Sequence, residues 1–107
     1  MPTAHFIAKL NENLRPVDKT QHLYATGLWD IPDATAEQLI EGLIYLHKAK
    51  AKPSFFGGRV LGYRVVETDY AHSKRIEFEI ESIAEARAVS WAGDTRTRDW
   101  WTGLIAD

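Results

Sequence analysis

Residues 75–81 alternate without a break: Ile76, Phe78 and Ile80 fall on one side, and Glu77, Glu79 and Glu81 on the other. A period of two marks a half-buried strand. Arg59 to Glu67 reads as its hairpin partner, with Gly62 marking a bulge or bend. His5 to Leu10 is an expected first strand, ended by the turn-prone Asn11-Glu12-Asn13. Residues 14 to 24 are polar, and Pro16 is expected to break any regular element there. Thr26 to Ile31 reads as a short second strand centred on Leu28 and Trp29.

Pro32-Asp33-Ala34-Thr35 is a helix start, in which Asp33 or Thr35 can accept from a free first-turn amide. The helix then runs through Leu39 and Ile40. Its end is ambiguous. If it continues, Leu39, Ile40, Leu43, Ile44 and His47 share one helical face. If Gly42 supplies a left-handed cap, Leu43-Ile44-Tyr45-Leu46 becomes a strand. The second reading is preferred, because glycine inside a helix costs about 1 kcal/mol. Pro53 to Gly58 reads as a loop and Thr68 to Lys74 as a polar turn region. Ile83 to Val89 suits a short helix, and Gly93-Asp94-Thr95 turns the chain. Arg98 to Ile105 forms a compact amphipathic or strand-like tail. About five strands and one or two helices make an α+β domain, with a strongly bent, mainly antiparallel sheet or a small β-barrel.

Composition narrows the class. The 107 residues suit one domain, spanning 1–107, with a single core. There is no cysteine, so disulfides, thiol nucleophiles and thiolate metal sites are excluded. Secreted domains of this size often carry disulfides, which makes a cytoplasmic location the expectation. No apolar run is long enough for a signal peptide in Met1–Phe6 or for a membrane span elsewhere, and a soluble protein is expected.

The net charge of −2 is unevenly spread. Between Gly42 and Val66 there is no acidic residue, while Lys48, Lys50, Lys52, Arg59 and Arg64 sum to +5. Such a stretch can receive phosphates; it can equally solvate an edge strand and discourage edge-to-edge pairing.

Catalytic patterns are missing. His5, His22, His47 and His72 match no metal-binding spacing, and the serines lie in no nucleophile motif. The alternating glutamates read as a solvated strand face rather than an acid–base pair. Phe55-Phe56-Gly57-Gly58-Arg59 lacks the phosphate-loop pattern. Its aromatics could wall a pocket or plug the end of a bent sheet. No catalytic residue, metal site or cofactor is assigned.

Trp29, Trp91, Trp100 and Trp101 give roughly three times the average tryptophan usage. Indoles stack on bases or fill a core. In an extended segment adjacent Trp100 and Trp101 cannot both point inward, so one should be partly exposed. Arg96 and Arg98 precede them, interleaving basic and aromatic groups as in single-strand readers.

Residues 29–82 resemble the core of the PUA-like superfamily, which includes the EVE, ASCH and YTH domains. The likeness lies in Trp29-Asp30-Ile31, the capped helix ending at Glu41-Gly42, then Leu43-Ile44-Tyr45-Leu46-His47 and Gly58-Arg59-Val60-Leu61-Gly62-Tyr63-Arg64-Val65-Val66. Where those domains often carry Gly-Asp, this chain has Glu41-Gly42. The resemblance implies a bent β-barrel with helices at its edge, binding RNA or modified bases in an aromatic-lined pocket. No individual binding residue is carried over from it.

The functional expectation is a non-catalytic binding module for RNA, DNA or a nucleotide-like ligand. Trp29, Phe55, Phe56, Trp100 and Trp101 are its stacking candidates. Tyr45, Arg59 and Arg64 complete the pocket, and Lys48, Lys50 and Lys52 contact phosphates. The alternative is a protein-interaction domain, homodimerising through an exposed tryptophan patch. A third reading, a small enzyme with Tyr45, His47 and Arg64 on one sheet face, ranks last.

Overall fold

The computed structural model describes residues 2–8, 14–67, 74–92, 96 and 100–105. The chain folds as β1 (Thr3–Ile7), β2 (Leu14–Asp18), β3 (Leu23–Trp29), α1 (Asp33–Gln38), β4 (Leu43–His47), β5 (Phe56–Glu67) and β6 (Lys74–Ser82). Short 3-10 turns cover Lys19–Gln21 and Ala84–Ala86. The strands form one six-stranded sheet in the order β1-β4-β5-β6-β3-β2. All neighbours are antiparallel except β1 and β4. β1 and β2 stand at the two ends of this order.

The β5–β6 hairpin is where alternation predicts it. Val60 pairs Ile80, Tyr63 pairs Phe78 and Val65 pairs Ile76, while Arg59 faces Glu81 and Arg64 faces Glu77. The register slips between Val60 and Gly62. Leu61 is therefore the extra residue of the expected bulge. β6 also pairs β3, so it lies inside the sheet and its alternating apolar side is sealed. Ile76, Phe78 and Ile80 join Phe6, Leu39, Ile44, Leu46 and Val60 in the core. Each large side chain buried there contributes roughly 1.5–3 kcal/mol.

Several local expectations are corrected. Residues 14–18 do form a strand, despite Pro16. β2 is the outer strand and, among the described residues, pairs only β3, so the missing proline N–H costs no inner-ladder hydrogen bond. Phe56, Gly57 and Gly58 belong to β5 rather than to a loop. A Cβ at Gly57 would run into the Ile44 carbonyl oxygen, and one at Gly58 into that of Glu81. These glycines let three backbones lie close together.

Neither Asp33 nor Thr35 caps α1; Pro32 occupies the cap position with no side-chain hydrogen bond. The preferred strand over 43–47 is present, but the left-handed residue before it is Glu41, at φ 69°, not Gly42. Gly42 is required for a different reason: a Cβ there would meet the Pro2 carbonyl oxygen. The helix expected over 83–89 is only the turn Ala84–Ala86. The turn regions expected at 11–13, 68–73 and 93–95 lie outside the described residues.

The tail returns along β1. Ile7 N–H donates to the Trp100 carbonyl at 2.9 Å, Thr102 N–H to His5 at 3.0 Å, and Thr3 and Ile105 exchange both backbone bonds. Among the described residues no helix is long and apolar enough to cross a membrane.

Candidate functional site

β1 and β4 have two faces. Ala4, Phe6, Ala8, Ile44 and Leu46 point into the main core. By strand alternation His5, Tyr45 and His47 share the opposite face. Trp91 covers that face, its ring 5.8 Å from His5 and 5.1 Å from His47, both edge-on. Tyr45 lies 4.6 Å from His5. The segment carrying Trp91 is tied down by buried Ser54, whose Oγ donates to the Ala86 carbonyl at 2.6 Å and accepts from Val89 N–H at 2.9 Å.

The two buried histidines are 2.8 Å apart, Nδ1 of His5 to Nε2 of His47, and Nδ1 of His47 is 3.0 Å from the Lys52 carbonyl oxygen. A carbonyl only accepts, so His47 Nδ1–H donates to Lys52. In the neutral ring Nε2 of His47 is then the acceptor for His5 Nδ1–H. Burial, with His47 alongside, lowers His5 to about 4. Burial lowers His47 too, against the opposing pull of the Lys52 carbonyl. This pair is a neutral relay inside a small aromatic core.

Around it sit several of the candidate residues. The Lys48 ammonium lies 4.7 Å over the Phe55 ring and that of Lys50 5.5 Å over Trp91. Lys52 is exposed beside them. On the main-core side the other indoles are stacked. Trp29 and Trp100 are 5.7 Å apart and within 6° of parallel, Trp101 lies 5.6 Å from Trp100, and both tail rings contact Phe6. Trp100 is 38% exposed, whereas Trp29 is buried with no partner for its indole N–H among the described residues. The expectation that one tail indole is partly exposed thus holds for Trp100. The two tail rings nevertheless do not turn to opposite faces.

The remaining candidates lie elsewhere. Phe56 is buried against Tyr24, with the Arg87 guanidinium over its ring. Arg59 faces Glu81 at 3.6 Å. Arg64 donates to Glu77 Oε1 at 2.8 Å, and Arg15 donates to the same oxygen at 3.1 Å. Burial pulls the Glu77 carboxyl upward, but the two guanidinium groups outweigh it and hold it below the usual range. Its 12% exposure shows that the glutamate face of β6 is not uniformly solvated. Tyr45 and His47 share a face, as weighed, but Arg64 is far along β5 from both.

Sequence reasoning weighed His47 only for an enzyme and Glu77 only as part of a solvated strand face, and gave no site role to His5, Trp91 or Arg15. The Tyr-x-His alternation of β4 was a legible sign for two members of the buried cluster; its partner on β1 was not, because nothing local encodes a parallel pairing across some forty residues. Among the described residues no group of three or more His, Asp or Glu could hold a metal ion. No known family model, curated protein or solved structure matches the chain.

Proposed function

We propose that the chain is a non-catalytic binding module of the cytoplasm for single-stranded nucleic acid or a nucleotide-like ligand, the sheet forming part of a PUA-like bent barrel. One observation carries the reading: the partly exposed Trp100 ring is stacked on Trp29, and its backbone lies two strands from the end of β4, where the Lys48–Lys52 stretch begins. Trp100 bonds to Ile7, Ile7 stands level with His47, and Lys48 follows directly. With strands about 4.8 Å apart, the Trp100 backbone and the basic turn lie on either side of the end of β1. A supported aromatic face beside cations suits base stacking with phosphate contact, worth about 1–3 kcal/mol per base.

Tryptophan fluorescence titrated with single-stranded oligonucleotides and free nucleotides tests this. Quenching that saturates, weakens with salt and falls about tenfold or more in Trp100→Ala is expected. No quenching by any of these probes at low salt rejects the reading. Concentration-dependent sedimentation abolished by Trp100→Ala would favour a homodimer instead.

A further inference from the structure

The solvent face of the sheet holds a cleft of about 350 Å³ that no tryptophan lines. Arg15 and Val17 of β2, Ala25 of β3, Glu77 and Glu79 of β6 and the bulged turn of β5 at Leu61–Gly62 line it. The bulge makes the hollow: Leu61 is pushed out as one wall, and at Gly62 a Cβ would meet nothing within 4 Å. Val17 and Leu61 stand 49% and 39% exposed on its two sides, apolar surface facing water with no cover among the described residues.

Charge in the cleft is arranged rather than scattered. Arg15 uses Nη2 and Arg64 uses Nε to reach the same Glu77 oxygen. The shared carboxylate holds both guanidinium groups at one place, while their side chains stay 56% and 65% exposed. Each therefore keeps N–H donors for another acceptor, at a reduced ordering cost. Arg15 and Arg64 against Glu77 leave +1 at the guanidinium pair, and lining Glu79 brings the cleft as a whole to zero. A single negative charge is matched locally at the pair; a second would meet the carboxylates.

The geometry points to this cleft as a binding site for a small organic monoanion, a carboxylate carrying a compact apolar body. The carboxylate takes the spare guanidinium donors, and the apolar body lies over Gly62 between Val17 and Leu61. The volume lies at the lower end of small-ligand clefts, about 300–1,000 Å³. This site does not depend on the nucleic-acid reading.

Backbone amide shifts of the whole chain, recorded while benzoate is titrated in, test the assignment. Saturating shifts confined to Val17, Ala25, Leu61, Gly62 and Glu77 are expected, with inorganic phosphate producing none there. Arg64→Gln should weaken benzoate about tenfold, the size of one charge-assisted hydrogen bond. Gly62→Val should fill the cleft and abolish the shifts while the rest of the spectrum stays native. Absence of cleft shifts at tens of millimolar benzoate overturns the proposal. So do equal shifts with phosphate, or benzoate binding that survives Gly62→Val in a folded protein.

Discussion

His5 and His47 show how one carbonyl sets the protonation of a buried pair. The Lys52 oxygen can only accept, which fixes the His47 tautomer and, through it, that of His5. Adding a proton would place a charge between Tyr45, Trp91 and the second ring. The native state therefore prefers both rings neutral, and His5 is lowered to about 4. The unfolded chain takes up its protons near the ordinary histidine value of about 6.5. Between these values it binds more protons than the native chain, so stability falls as pH drops. The contribution is intact above about pH 6.5 and spent below about 4, a loss on the order of 3 kcal/mol for His5. Urea midpoints measured between pH 7.5 and 4 should record this fall. In His5→Asn the slope through this window should flatten, since the group that refuses the proton is gone. An unchanged slope would show that these rings are not the source.

At the scale of the element, β5 carries its information in three glycines of opposite meaning. Gly57 and Gly58 lie where the carbonyls of Ile44 and Glu81 leave no room for a Cβ, whereas Gly62 faces open space. Gly57→Ala and Gly58→Ala should each destabilise by about 1–3 kcal/mol or more, through forced separation of paired strands. Gly62→Val should be neutral or stabilising by up to about 1 kcal/mol, since valine suits a strand and glycine does not. Thermal melts of the three variants check the order, and a Gly62→Val loss matching the other two would refute it. The same strand shows what a sequence can display. Alternation over 75–81 revealed β6 and its hairpin because the pattern is local. The pair of glycines looked like a loop because glycine's freedom and glycine's smallness leave the same mark in a sequence. Pro16 misled in the other direction: proline excludes an inner strand, not an outer one.

Over the whole molecule, legibility fades with sequence separation. The helix start near residue 33, the strand at 43–47 and the hairpin rest on neighbours in the chain. The parallel β1–β4 pair, the return of 100–105 along β1 and the convergence of His5 on His47 rest on contacts across some forty to one hundred residues, which no local pattern records. The basic stretch of residues 42–66 is the clearest case. In sequence it is one block, but in the fold it divides along β5. Lys48, Lys50 and Lys52 lie in the turn before β5, with Lys48 over Phe55 and Lys50 over Trp91, while Arg59 and Arg64 pair with β6 glutamates farther along. In the proposed binding mode the first group is the one that meets the phosphates of a strand stacked on Trp100. Each phosphate contact on single-stranded nucleic acid contributes about 0.7 to the slope of log affinity against log salt. Replacing Lys48, Lys50 and Lys52 together by glutamine should therefore reduce that slope by up to about 2. Replacing Arg59 and Arg64 by glutamine should leave it unchanged, because they lie farther along β5, where Arg59 pairs Glu81 and Arg64 shares Glu77 with Arg15. Fluorescence titrations of one oligonucleotide at several salt concentrations separate the two sets. A slope that responds equally to both would mean that the acidic partners do not shield the arginines and that the strand runs the length of β5.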